Sequence, residues 1–180
     1  MLLAADRSAL LVVDIQERLA PATSDPEPVI EHTRKLIAAA RSLAVPVLAS
    51  QQYPQGLGPL VPSLASLLSD GETVDKTHFS CMKEEALAAA FRRLGRGQAV
   101  VTGMEAHVCV LQTVIDLIAN RFQVFVVADA MTSRSPANHA LAVERMAAAG
   151  ASIVSTEMVI FEWLERADRP EFRPLSKMIR

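Results

Sequence analysis

Short apolar runs alternate with longer amphipathic segments along this chain. The first run, residues 9–13 (ALLVV), ends directly at Asp14 and has no polar position, as expected of a strand buried on both faces of a sheet. Residues 29–43 then repeat apolar side chains at helical spacing on one face. The pattern predicts strands at 9–13, 45–50, 74–76, 99–102, 122–128 and 151–155 and helices at 29–43, 84–94, 109–120, 136–149 and 157–164.

This alternation is typical of an α/β protein. Strand–helix–strand units build a parallel sheet with helices on both faces, so we expect a three-layer α-β-α, Rossmann-type fold with a central, mostly parallel six-stranded sheet. We interpret residues 1–180 as a single domain. The stretch 53–62, rich in proline and glycine, is expected to be a loop, and the tail 166–180 to pack loosely or against a partner subunit.

Composition narrows the range of partners. The net charge is −2, no stretch is strongly basic, and no apolar run approaches the roughly 20 residues of a membrane span. We therefore expect no nucleic-acid and no membrane partner, but a small-molecule substrate and further copies of the chain. The chain has two cysteines, and its first 16 residues lack the basic leader of a signal peptide, which predicts a cytoplasmic location.

Three residues at predicted strand ends carry candidate chemistry. Parallel sheets bind ligands at the carboxyl ends of their strands. Asp14 and Lys76 end two strands, and Cys109 begins the helix after a third, where free N–H groups lower a thiol pKa and can hold an oxyanion. Individually they are typical of a turn cap, a surface lysine and a core cysteine. Together they supply a base, a cation and a nucleophile at one sheet edge.

Three motifs, LVVDIQ, DKTHFS and VTGMEAHVCVLQT, resemble the isochorismatase-like cysteine hydrolase family in their order and spacing. The resemblance runs from Ser8 to about Leu164 and includes the stretch VVADAMTSRS. The run SQQYPQGLGPLVPSL is similar to a subgroup of isochorismatase domain-containing proteins whose substrates are poorly defined. The fold expected from the alternation is therefore the isochorismatase-like one.

The resemblance implies a catalytic triad of Asp14, Lys76 and Cys109, with the backbone N–H groups of Glu105 and Cys109 as oxyanion donors. In such a triad the cysteine attacks an amide carbonyl, the aspartate carries the proton, and water hydrolyses the resulting thioester. The family has a cis peptide before the cysteine, which maps onto Met104–Glu105, and its members are typically homo-oligomers.

Other side chains near the strand ends are expected to contact the substrate. They are Gln16, Leu19, Tyr53, Phe79, His107 and Val108. Arg134 is expected to pair with Asp129, a neighbouring chain or a substrate carboxylate, and Cys81 to be structural, near the mouth of the site. Phe161 and Trp163 are expected to make packing or oligomer contacts.

Two departures from the family patterns reduce the number of reactions expected of this chain. Nicotinamidases of the family hold a divalent metal with an aspartate and histidines, but residues 50–58 (SQQYPQGLG) have Gln52 and Pro54 at those positions. We therefore expect no metal and no cofactor. The isochorismatases proper cleave a vinyl ether without needing a nucleophilic cysteine, so the presence of Cys109 favours acyl chemistry.

Two alternatives to amide hydrolysis stay open. One is hydrolysis of an isochorismate-type ether or another small metabolite without a covalent intermediate. The other is a non-catalytic oligomeric binding or scaffold protein that retains the triad, because a fold shared with enzymes does not by itself establish an activity.

Overall fold

Six parallel strands form the centre of the molecule in this computed structural model, which describes residues 1–179. They are β1 (Ser8–Val13), β2 (Val47–Gln52), β3 (Thr73–Lys76), β4 (Gln98–Met104), β5 (Gln123–Thr132) and β6 (Ser152–Val154). Their order is β3-β2-β1-β4-β5-β6, and each neighbouring pair runs parallel. The expected six-stranded α/β sheet is confirmed, with all strands parallel and β5 longer than predicted.

Helices cover both faces of this sheet. They are α1 (Pro26–Ser42), α2 (Pro54–Leu57), α3 (Pro62–Ala65), α4 (Glu85–Arg93), α5 (Leu111–Ala119), α6 (Pro136–Ala148), α7 (Thr156–Leu164) and α8 (Phe172–Met178). All six residues of β1 are buried, and successive side chains belong to opposite hydrophobic clusters. Leu10 and Val12 pack with α1 and α7, whereas Leu11 and Val13 pack with α4, α5 and α6. Within residues 1–179, none of the helices combines the length and apolarity needed to span a bilayer.

Two segments contain more helix than the sequence indicated. The short helix α2 lies within the expected loop 53–62, and α8 lies within the tail. Leu175 on α8 is buried in the core, and Phe172 stacks beside Phe161 with ring centroids 6.3 Å apart. The expectation of a loosely packed tail is therefore wrong for α8, because Phe172 and Leu175 lie one helical turn apart and bury together.

The turn between β4 and α5 has an unusual backbone. The peptide Met104–Glu105 is cis, as the family resemblance implied, and residues Ala106–Val110 form a single π-helical turn that leads into α5. Cys109 lies in this wider turn rather than in the first turn of a regular α-helix. Single π-helical turns occur often at functional sites.

Candidate active site at the carboxyl edge of the sheet

Asp14 and Lys76 form a buried ion pair at the carboxyl edge of the sheet. Asp14 adopts φ 53°, which turns the chain out of β1 immediately after the strand. Lys76 Nζ lies 2.7 Å from Asp14 Oδ2, and neither side chain is exposed to solvent. Burial of two charges is tolerated only when they are paired and hydrogen-bonded. The structure therefore brings together two of the three residues that the sequence placed in the triad.

The Lys76 ammonium has a full set of acceptors. Besides Asp14 it donates to Gln52 Oε1 at 2.6 Å and to the carbonyls of Phe79 and His78 at 3.0 and 3.2 Å. Burial has the largest single effect and lowers the pKa of Lys76, but Asp14 and the two neighbouring thiols together outweigh it, and the pKa is raised. Lys76 is therefore a permanent cation of the site.

The second oxygen of Asp14 is also engaged. Ser50, on the neighbouring strand β2, donates its hydroxyl to Asp14 Oδ1 at 2.7 Å. Cys81 Sγ lies 3.5 Å from Ser50 Oγ, and burial raises the pKa of Cys81 to about 11. Cys81 is fully buried beside Ser50, which binds Asp14. The expectation that Cys81 lies near the mouth of the site is therefore wrong.

The pKa of the buried Cys109 thiol is raised above its ordinary value. Burial raises its pKa first, and the charge of Asp14 and a hydrogen bond between the two side chains raise it further, while Lys76 lowers it. The lowered thiol pKa expected from a helix N-terminus is not found, because burial and the nearby carboxylate dominate. Asp14 is the carboxylate whose charge raises the thiol pKa.

The Glu105 carbonyl closes the π-helical turn. It accepts from Val108 N–H at 3.1 Å and from Val110 N–H at 3.2 Å. The Glu105 side chain is held by Arg134, whose backbone N–H and Nε both donate to Glu105 Oε2 at 3.0 Å. The turn is thus held by the segment that follows β5.

The pairing expected for Arg134 is corrected by this contact. Arg134 binds Glu105 rather than Asp129. Asp129 instead accepts from Thr156 and lies 3.3 Å from His32 Nδ1. The difference follows from the end of β5, which runs on beyond residue 128 and carries Arg134 to the π-helical turn.

Gln16 has a different place from the one expected of a substrate-binding residue. Its Nε2 donates to the carbonyls of Gln52 and Gly58 at 3.0 and 2.6 Å, and its Oε1 accepts from Gln52 N–H at 2.8 Å. The side chain is fully buried, and these backbone groups occupy its amide. Gln16 thus holds the end of β2.

The remaining predicted contact residues lie nearer the surface. Tyr53 and Phe79 are 56% and 52% exposed and follow β2 and β3, the strands that supply Ser50 and Lys76. Leu19, His107 and Val108 are half-buried. His107 Nδ1 lies 2.9 Å from Ser133 Oγ, which joins the π-helical turn to the segment after β5.

Sequence reasoning missed Ser50, the role of Gln52 and the position of Cys81. Gln52 Oε1 accepts from Lys76, and its Nε2 donates to the Thr77 carbonyl at 2.8 Å, so its amide completes the lysine site. Among residues 1–179 no group of three or more His, Cys, Asp or Glu side chains is arranged to hold a metal ion. The signal for Ser50 was its position: it is the first polar residue after the apolar run of β2, level with the end of β1.

The fold and this site define an α/β protein with a cluster of buried ionisable and polar side chains at one sheet edge. Residues 8–158 match the isochorismatase domain, and the chain belongs to the isochorismatase family. The resemblance to isochorismatase domain-containing proteins is confirmed as well. The chain is 36% identical over 173 residues to isochorismatase domain-containing protein 1 of Danio rerio, covering 96% of this chain and 61% of that protein. The chain thus spans less than two thirds of the length of this relative.

Two solved structures are similar over almost the whole chain. The MAR1 ribonuclease of Caenorhabditis elegans is 36% identical with a TM-score of 0.92, covering 99% of this chain and 92% of that one. YcaC of Pseudomonas aeruginosa, with hexane-2,5-diol and covalent acrylamide, is 26% identical with a TM-score of 0.93, covering 98% and 91%. Both agree with the six-stranded fold.

Proposed function

We propose that this chain is a metal-independent cysteine hydrolase that cleaves the C–N bond of a small amide through a thioester on Cys109. The observation that carries the proposal is the buried ion pair of Asp14 and Lys76, whose charges both act on the Cys109 thiol. A nucleophile, a base and a group that orients the base are the parts that covalent acyl transfer requires. The catalytic residues are therefore Asp14, Lys76 and Cys109.

The first step forms the bond between sulfur and the substrate carbon. Asp14 takes the thiol proton as Cys109 Sγ attacks the amide carbonyl, and the carbonyl π electrons move to oxygen. Because the resting thiol has a raised pKa, proton removal accompanies attack instead of preceding it. The backbone N–H groups of Glu105 and Cys109 hold the oxyanion.

The second step releases the amine. The oxyanion reforms the carbonyl, the C–N bond breaks, and Asp14 returns its proton to the departing nitrogen. Water then attacks the thioester while Asp14 takes its proton, and the C–S bond breaks with that proton returned to Cys109 sulfur. Lys76 keeps its charge throughout, so Asp14 cycles between its two states beside a fixed cation.

Two observations bear on the choice between covalent chemistry and other reactions of related proteins. The YcaC structure from Pseudomonas aeruginosa contains covalent acrylamide, an electrophile that adds to nucleophiles such as thiols through its C=C bond. The C. elegans structure is of a ribonuclease, but RNA recognition depends on cationic and stacking surfaces, and this chain has net charge −2. A small uncharged amide suits the chain better than RNA.

The raised pKa of Cys109 favours a second candidate, hydrolysis of an ether or another small metabolite without a covalent intermediate. In that reaction Asp14 acts directly on the substrate or on water, and the thiol serves only to shape the site. The two candidates differ in whether sulfur becomes acylated.

The test is a screen of small amides for ammonia release, followed by quenched reactions analysed by mass spectrometry. The proposal predicts an acyl adduct on Cys109 and its loss, with activity, in Cys109→Ala and Cys109→Ser. As a matched control, Met146→Leu conserves the volume of a buried side chain on α6 and keeps full activity. Activity retained in Cys109→Ser but lost in Asp14→Asn supports the non-covalent candidate and overturns the thioester.

Several expectations from the sequence stay predictions. Contacts of Leu19, Tyr53, Phe79, His107 and Val108 with the substrate are proposed from their places around the edge of the sheet. Assembly into a homo-oligomer and a cytoplasmic location are likewise predictions. Sedimentation of the purified chain and localisation of a tagged chain in the source cells test them.

A further inference from the structure

We propose that Ser50 is a positioning residue for Asp14, that Cys81 aligns its hydroxyl, and that this chain of hydrogen bonds weakens the hold of Asp14 on the Cys109 proton. The inference rests on the proposed function, because it assigns a role within the same site. It concerns two buried polar groups that the triad mechanism does not use.

Ser50 and Asp14 are linked at two points. Ser50 is paired with Val13 in the parallel register of β1 and β2, and the Asp14 N–H donates to the Ser50 carbonyl at 3.1 Å. The Ser50 hydroxyl donates to Asp14 Oδ1 at 2.7 Å, and both residues are fully buried. The backbone contact and the side-chain contact together fix the orientation of the carboxylate.

The direction of the hydrogen bonds follows from the donors available. A serine hydroxyl has one hydrogen, and Ser50 gives it to Asp14, which as a carboxylate can only accept. The Ser50 oxygen is then free to accept from the Cys81 thiol, whose sulfur lies 3.5 Å away. Cys81 is itself held by its backbone N–H, which donates to Thr113 Oγ1 at 3.0 Å. Hydrogen bonds in such a chain polarise one another and strengthen the last one.

The consequence concerns the proton on Cys109. The negative charge of Asp14 and its hydrogen bond with the thiol both raise the pKa of Cys109. Lys76 donates a hydrogen bond to Asp14 Oδ2 and Ser50 donates one to Oδ1, so each donor offsets part of the carboxylate charge. Without Ser50, Asp14 would hold the thiol proton more tightly. Burial raises the pKa of Cys81 to about 11, so its thiol keeps the proton it donates.

The experiment measures the rate at which iodoacetamide alkylates Cys109 at mildly alkaline pH, with adducts assigned by peptide mass spectrometry. Below the thiol pKa, each unit by which that pKa rises slows alkylation about tenfold. We expect Ser50→Ala to slow alkylation of Cys109 by up to about tenfold, because hydrogen bonds to charged groups are strong. Ser50→Thr keeps the hydroxyl and is expected to restore the rate.

A double-mutant cycle tests the part played by Cys81. Cys81→Ala is expected to slow alkylation by a smaller factor in the wild-type background and to have no further effect in Ser50→Ala. Cys81→Ser, which keeps a donor, is expected to recover the wild-type rate. Equal effects of Cys81→Ala in both backgrounds would overturn its action through Ser50.

A purely structural role moves the rate in the opposite direction. Burial is the first cause of the raised pKa of Cys109, so a loosened site would expose the thiol and speed its alkylation. Faster or unchanged alkylation in Ser50→Ala therefore overturns the proposal. Ser8→Ala is the matched control, because Ser8 is a buried serine at the opposite end of β1 that accepts from Trp163 Nε1 at 2.9 Å. Ser8→Ala is expected to lower the stability of the fold without slowing the alkylation of Cys109.

The alkylation rate needs no substrate, so the two proposals fail separately. Slowing in Ser50→Ala, with no acyl adduct from any amide, would leave the role of Ser50 standing and overturn amide hydrolysis. An acyl adduct on Cys109, with an unchanged alkylation rate in Ser50→Ala, would support amide hydrolysis and overturn the role of Ser50.

Discussion

The Lys76 ammonium and the Asp14 carboxylate lie 2.7 Å apart although a whole strand separates the backbones that carry them. Lys76 ends β3, Asp14 follows β1, and β2 runs between. Adjacent strands are about 4.8 Å apart, so the lysine and aspartate side chains together bridge about 10 Å of sheet edge. It passes Gln52, whose Oε1 accepts from Nζ. The ion pair therefore ties three strands together where the candidate chemistry lies.

Replacing Lys76 by methionine should destabilise the fold strongly. The substitution keeps the length of the side chain but leaves Asp14 buried without its cation, and loss of one partner of a buried ion pair costs about 3–5 kcal/mol. Denaturant titration followed by circular dichroism measures the loss. In the double variant Asp14→Asn/Lys76→Met neither charge remains, so much of the lost stability should be recovered. A double variant whose loss of stability equals the sum of the losses in the two single variants would contradict this.

Asp14→Asn should separate thiol reactivity from catalysis. The charge of Asp14 raises the pKa of Cys109 whereas Lys76 lowers it, so removing the carboxylate should lower the thiol pKa. Alkylation by iodoacetamide should then accelerate and approach its maximum rate at a lower pH. Amide hydrolysis should fall by about 10²–10⁴-fold, because no group remains to move the proton. Slower alkylation in this variant would argue against the charge of Asp14 as a cause of the raised pKa.

Gly103→Ala should prevent the edge of the sheet from forming. Gly103 has φ +135°, and a Cβ there would lie 2.0 Å from the Val13 carbonyl oxygen, directly before Asp14. We expect a loss above about 4 kcal/mol, measured by thermal and denaturant unfolding. Gly97→Ala is the control, since a Cβ at Gly97 meets nothing within 4 Å, and its effect should stay within about 0.5 kcal/mol.

Gln16→Leu should lower stability because it leaves buried backbone groups without partners. The amide of Gln16 pairs with the N–H and carbonyl of Gln52 and the carbonyl of Gly58, and each unpaired buried group costs about 1–3 kcal/mol. Thermal denaturation should show a clear drop in melting temperature. Gln112→Leu, at an exposed position, should leave the melting temperature nearly unchanged. Equal shifts of the melting temperature in both variants would show that the buried hydrogen bonds of Gln16 contribute little.

The sequence predicted the fold because the central strands contain short apolar runs that end at polar residues. β1 illustrates this: its buried run stops at Asp14, and the structure places that residue at the carboxyl edge. The alternation of strands and helices was enough to predict the sheet, and the motifs were enough to relate the chain to its family. The short helix α8 was missed because it has few residues and depends on contacts with Phe161 and the core.

The partners within the site were harder to foresee because they depend on strand order and register. The contact of Ser50 with Asp14 arises because β2 lies beside β1 with Ser50 level with Val13. Nothing in the local sequence specifies that neighbour. The raised pKa of Cys109 has a similar origin. Burial and the charge of Asp14, which is far away in sequence, outweigh the pKa-lowering effect expected of a helix N-terminus.

The sheet divides the molecule into a side that carries thiols and a side that carries none. Both cysteines belong to the hydrophobic cluster with α4, α5 and α6, whereas α1, α7 and α8 pack on the opposite face. Sequence changes at positions such as Leu36 or Trp163 are therefore separated from the sulfur chemistry by the thickness of the sheet. For protein engineering, the α1 face is the place to raise thermal stability, and the α4–α6 face is the place to alter reactivity.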